Sequence, residues 1–307
     1  MLTNREVILA KIESVYNTDP TPATTDAILV ENPSWSLAGL RMVDRNNVKA
    51  STATDQKIYG GTLRGISFDV EIKGSGTAGT APEIGTLLRA CGLDETIVAS
   101  TSVTYAPIST GFESITIYYY QDGILNKITG CRGNASFNLE CGNKGMVSFT
   151  FTGHDGGTTD VSMVTPSYDS TVPPVFINAP FSIGAYSAVI AGLTFDMANT
   201  VATPPDVSAT DGYSQIYLTK RDVNGTFSPE MTLVATNDWI GQLKAGTTMA
   251  LDTGAIGATA GNIYQVTMPA VYYREMSPGD RDGVRTLENT FGAAESSGDD
   301  EFSIAFT

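Results

Sequence analysis

Residues 112–153 read FESITIYYYQDGILNKITGCRGNASFNLECGNKGMVSFTFTG, and the periodicity of this stretch decides the fold. Residues 112–120 alternate and are rich in β-branched and aromatic side chains, the pattern of a strand. Asp122-Gly123 suits the two positive φ angles of a tight hairpin, residues 124–129 return as a second strand, and residues 130–133 are expected to turn. Beyond them Ala135, Phe137, Leu139 and Cys141 share one face, and Asn134, Ser136, Asn138 and Glu140 the other. After a turn at residues 142–145, Val147, Phe149 and Phe151 alternate with Ser148, Thr150 and Thr152. The expectation is a four-stranded meander with one apolar and one wet face. That wet face is Asn, Ser and Thr with a single carboxylate and no cation.

Composition sets the outer limits. The chain has 307 residues, with 33 Asp and Glu against 18 Lys and Arg, a formal charge of -15. Such an excess argues against ordinary nucleic-acid binding, which needs cations against phosphates, and equally disfavours adhesion to an anionic membrane. Only 17% of residues are charged, and the 31 glycines and 14 prolines fit turns and strands better than helices. The three cysteines have no CxxC spacing; Cys131 and Cys141 could pair, but buried thiols in a reducing compartment are the plainer reading. No run is long enough for a membrane helix, and Arg5, Glu6, Lys11 and Glu13 occupy the place of a signal peptide's apolar core. Synthesis and folding in a cytoplasm are expected.

Outward from the meander, residues 7–16 fit either an amphipathic helix or a strand. Strands are expected at 27–31, 35–42 and 62–73, with residues 43–57 a long exposed loop or extended hairpin. Residues 82–91 (PEIGTLLRAC) are the clearest helix: Pro at its start, Gly92 after its end, and Ile84, Leu87, Leu88 and Cys91 at helical spacing. Residues 165–180, with four prolines, form a connector. The pattern then returns: strands at 188–197, 215–220 and 231–234, a short helix at 238–245, and strands at 263–268, 271–274, 284–288 and 302–306. Gly61-Thr-Leu63 answers to Gly225-Thr-Phe227, and Ile84-Gly85 with Leu87 to Ile240-Gly241 with Leu243, so a duplication is expected. The division is 1–164, a connector 165–180, and 181–307.

No catalytic constellation stands out. The single histidine, His154, lies in a Gly/Asp-rich segment read as a solvent-facing loop, and no Ser lies in a G-x-S-x-G elbow. Zinc would need Cys/His clusters that the sequence lacks. Asp280-Arg-Asp-Gly283 places a cation inside any calcium site and reads as a charged turn; residues 299–301 (DDE) read as a solvated one. Gly74-Ser-Gly-Thr-Ala-Gly79 satisfies G-x-G-x-x-G, but its helix begins past the third glycine and the preceding strand carries Asp69, Glu71 and Lys73. It reads as a flexible linker. Neither cofactor nor metal is called for, and no enzyme activity is expected.

The words at residues 9–22, 74–92, 112–153 and 261–269, with Asp282-Gly283, resemble the major tail tube proteins of long-tailed bacteriophages. The resemblance implies a mainly β fold: tandem tail-tube sandwich domains, each with a flanking short helix, whose strands are pooled into a β-barrel between subunits. It implies a virion protein of the tail, assembled in the bacterial cytoplasm, whose rings stack into a hollow tube conducting double-stranded DNA. Two such domains per chain imply a trimeric ring, a hexamer being the alternative. Implied partners are further copies of the chain, tape-measure, tail terminator and tail tip proteins, and double-stranded DNA in transit without specific binding; no membrane is implied. Asn134, Ser136, Asn138, Glu140, Ser148, Thr150 and Thr152 become candidates for the lumen wall, and Asp44, Arg45 and Lys49 for contacts between rings. Two other classes share parts of the pattern. A tandem β-sandwich adhesin or surface-layer protein would bind a host surface or glycan, and an enzyme using the Gly-rich loop would be stabilised by a nucleotide.

Overall fold

The computed structural model describes residues 2–307. The first half contains β1 (Glu6–Ile12), β2 (Ala27–Ile28), β3 (Glu31–Ala38), β4 (Met42–Val43), β5 (Ile58–Tyr59), β6 (Leu63–Glu71), helix α1 (Gly85–Ala90), β7 (Leu93–Val98), β8 (Ser102–Pro107), β9 (Ile115–Gln121), β10 (Ile124–Glu140) and β11 (Met146–Asp160). The second contains β12 (Ser182–Ile183), β13 (Ile190–Asp196), β14 (Thr200–Ala202), β15 (Tyr217–Lys220), β16 (Asn224–Pro229), helix α2 (Trp239–Ala245), β17 (Met249–Asp252), β18 (Tyr264–Arg281), β19 (Val284–Ala293) and β20 (Ser303–Phe306). The fold is mainly β, an extended antiparallel sheet with two short helices, and among the described residues no closed barrel forms within one chain.

The deciding stretch keeps its alternation but has one strand fewer than expected. Asp122-Gly123 makes its hairpin, with φ of 40° and 108°. Residues 130–133, however, do not reverse the chain. They form a bulge inside the single strand β10, where the register with both β9 and β11 slips. A Cβ on Gly133 would lie 2.1 Å from the Thr150 carbonyl oxygen, so this glycine serves a close backbone approach. The bulge lets β10 change partner: its first part pairs with β9, its distal part with β13, and β11 flanks both.

An eight-strand path follows: β3-β6-β11-β10-β13-β16-β19-β18. Its two four-strand runs have the same order, an edge strand, then the strand preceding the helix, then a long hairpin. Behind it lies the core, in which Phe68, Phe137, Phe149, Phe151, Phe195, Phe227 and Phe291 are buried with α1's Leu87 and Leu88. Phe137 stacks on Phe195 across the β10–β13 seam with centroids 4.3 Å apart and planes 6° from parallel. The last strand also bridges the halves, β20 lying between β18 and β8.

Elsewhere the sequence expectations are corrected in detail. Residues 6–12 are a strand, and the two strands expected at 263–268 and 271–274 merge into one long strand, β18, which starts at Tyr264. Residues 231–234 are not a strand; the strand answering to β6 is β16, which starts at Asn224 itself. The Gly-rich linker is a fixed loop: Gly74 N donates to Asn262 Oδ1 and Gly76 N to the Gly261 carbonyl. Residues 299–301 are not merely solvated, since Asp299 and Glu301 both hold Arg221. All three cysteines are free thiols; Cys91 and Cys131 are buried, which pushes their pKa well up, but Cys141 is exposed because β10 ends before it.

Candidate functional surface: the polar face of the sheet

The predicted wet face is real, and it continues through strands that sequence reading did not assign to it. Pairing registers align its residues in rows across the sheet. One row runs Asp69, Ser148, Ser136, Asp196, Asn224, Gly292, Tyr272; the next runs Glu71, Met146, Asn138, Thr194, Thr226, Thr290, Glu275. A third joins Ser34, Ser67, Thr150 and Asn134. These rows contain no lysine or arginine. The alternation of Leu193 and Phe195 with Thr194 and Asp196, and of Gly225 and Phe227 with Thr226, is the signal that could have extended the face into the second half.

Hydrogen bonds between neighbours fix the face. Asn134 Nδ2 donates to Asp196 Oδ1 at 2.7 Å, and Asn134 Oδ1 accepts from Asn199 N at 2.8 Å. Ser148 donates to Asp69, the hydroxyls of Thr194 and Thr226 share a bond of 2.8 Å, and Ser228 donates to Glu288. Cations at the borders are neutralised. Lys144 bonds Glu31 and Glu71, which raise its pKa in that order. Arg274, lying over Gly292, bonds Asp222 at 2.5 Å; this holds the guanidinium pKa above and the Asp222 carboxyl pKa below their usual ranges.

The structure thus brings together Asn134, Ser136, Asn138, Glu140, Ser148 and Thr150, with Glu140 at the hairpin end and bonded by Asn143. Thr152 lies at the margin, opposite Arg132. That arginine is buried, donating to the carbonyls of Ile216 at 2.7 Å, Glu113 at 3.0 Å and Phe112 at 2.5 Å. Desolvation is the leading influence on it and lowers its pKa.

Asp44, Arg45 and Lys49 lie elsewhere, in the exposed tip between β4 and β5, which pair as the base of a projecting hairpin. Asp44 bonds Lys57 at 2.9 Å, and Lys49 bonds Asp55. The arm carries exposed apolar residues as well: Leu40, Met42, Val43, Ile58 and Tyr59.

His154 is not a solvent-facing loop residue. It is buried on β11, with Nδ1 2.6 Å from Asp211 Oδ2 and Nε2 3.0 Å from the Tyr16 hydroxyl. That hydroxyl accepts from Ile216 N, and burial raises its pKa to about 12. The cluster locks a second-half loop to the first half; its partners are far away in sequence and no local pattern announces them.

The bonded, cation-poor polar face, the uncovered sheet edges and the exposed arm fit a structural protein. Comparison with known families agrees: a model described as phage tail tube protein matches residues 3–303, and the chain belongs to that family. A search of curated proteins gave no match. The chain is therefore a structural component of a phage tail, of a family that self-assembles into a tube.

Proposed function

We propose that this chain polymerises as stacked rings into the hollow tail tube that conducts double-stranded DNA into the host, with the polar face of the eight-strand path as its inner wall. Residues 1–164 and 181–307, joined by the connector 165–180, each act as one tube domain, and three chains supply a ring with pseudo-sixfold symmetry. Three copies would pool about two dozen strands, beyond the roughly 16–18 that already leave an aqueous channel. The observation that carries this reading is the absence of lysine and arginine from rows that cross both halves. Each cation–phosphate contact releases counterions and adds affinity; a wall of hydroxyls, amides and carboxylates lets the duplex slide. The hairpin arm with Asp44, Arg45 and Lys49 contacts the next ring, in a head-to-tail stacking that has no inherent end point. Tape-measure, terminator and tip proteins set the length and the ends, and assembly takes place in the host cytoplasm.

Helical reconstruction of the purified, polymerised protein tests this. The expected result is a hollow tube with three chains per ring and Ser136, Thr150, Thr194 and Thr226 facing the lumen. A solid fibre, a polar face turned outward, or a monomer at every concentration would overturn it.

A further inference from the structure

The chain contains one completed edge-to-edge junction and two uncompleted edges that match it. At the completed one, β13 lies on the distal part of β10, and its Leu193 and Phe195 are buried against Leu139 and Phe137. In the first half the place of β13 is held by β3, whose only strand partner among the described residues is β6. The core-side residues of β3, Trp35 and Leu37, remain 40% and 48% exposed. In the second half the place of β10 is held by β18, which beyond residue 271 pairs, among the described residues, only with β19. Alongside this edge lies a groove of about 520 Å³ lined by Met231, Ile240, Leu243, Met276 and Leu287.

We propose that the open edge of β18 and this groove are the seat for β3 of a second copy of the chain, docked head to tail. The proposal rests on the tube reading and specifies which surfaces meet. Side-chain parity supports it. With the antiparallel sense of the β10–β13 junction, Ser34 opposite Ser277 brings Ser36 opposite Glu275 on the polar face. Trp35 then lies opposite Met276 on the groove side; a slip of one residue would put the tryptophan on the polar face. Pro33 and Pro278 bound the segments, and proline, lacking an N–H, is where such a ladder stops. Because the two surfaces are different patches of one chain, the contact is heterologous and repeats until a ring closes.

The test uses the full chain in a Cys141→Ser background, which removes the exposed thiol. Trp35→Cys combined with Met276→Cys, oxidised after assembly, is expected to give interchain disulfides up to a closed ring on a non-reducing gel, and neither single variant should. Leu37→Asp, at a site exposed in the monomer, is expected to retain the wild-type melting curve while abolishing rings in sedimentation velocity. Tubes from the double variant without interchain disulfides, an intrachain disulfide, or normal rings from Leu37→Asp would overturn the docking and leave the tube reading standing. Wild-type protein that never assembles would overturn both.

Discussion

The two halves share a strand order but are held by different forces. Buried charge is confined to the first: Glu13, Arg64, Lys73, Arg132 and His154 are all buried there, whereas among the described residues no Asp, Glu, Lys, Arg or His is buried after residue 180. Taking such groups out of water costs several kcal/mol each unless their bonds are complete. Those of the first half are bonded, and two of them reach across. Arg132 bonds the Ile216 carbonyl and His154 bonds Asp211, while Arg41 bonds the Gly212 carbonyl; in return Asn199 donates to the carbonyls of Cys91 and Gly133. The second half is attached by these directional clips at its loops, by aromatic packing and strand pairing at the β10–β13 seam, and by β20 between β18 and β8. The first half is thus a frame of fixed geometry, and the second, whose interior holds no buried charge among the described residues, is a slab registered against it.

If this contrast holds, the largest effect comes at the seam: Phe195→Ala is expected to cost about 3–5 kcal/mol and to split thermal unfolding into two transitions by calorimetry. A single, unshifted transition would mean that packing does not couple the halves. Glu13→Ala is next. Its carboxylate accepts from the hydroxyls of Ser114 and Thr116 and from the amides of Asn17 and Gly130. Leaving these donors unsatisfied should cost at least about 3 kcal/mol in urea denaturation. Arg132→Met, which strips three carbonyls of their donor, should lose about 2 kcal/mol and render residues 212–217 accessible to hydrogen exchange.

Alkaline pH offers a gentler probe. Burial holds the Tyr16 pKa at about 12, and burial likewise raises those of Tyr105, Tyr264 and Tyr273. A folded-state pKa above the unfolded one gives stability that is complete below pH ~10 and is lost as pH rises through the folded value. The melting temperature should therefore fall steeply above pH ~10, and Tyr16→Phe should blunt the fall. The smallest effect is expected from Arg274→Ala at the exposed polar face, within about 0.5 kcal/mol, since ion pairs open to solvent contribute little. A loss as large as that of Arg132→Met would erase the distinction between frame and slab.

Local pattern revealed what depends on local pattern. The alternation of residues 134–140 and 146–152, the Asp122-Gly123 turn and the helix around Leu87 and Leu88 could be read directly, because a face or stripe has a period. The bulge at residues 130–133 could not: glycines there look like a chain reversal, and only the approach of the Thr150 carbonyl to Gly133 shows their purpose. The burial of His154 is hidden for a related reason, since both its partners lie at least 57 residues away. The extension of the polar face into β13, β16 and β19 was legible residue by residue, but its continuity depends on the β10–β13 pairing, which no periodicity encodes.

The position of β20 has a consequence for biosynthesis. Its Ile304 pairs with Tyr105 of β8 and its Phe306 with Tyr264 of β18, so the segment that ties one flank of the sheet together leaves the ribosome after every element it joins. Such distant pairings are slow to form, and the finished sheet cannot exist on a nascent chain still lacking residues 303–306.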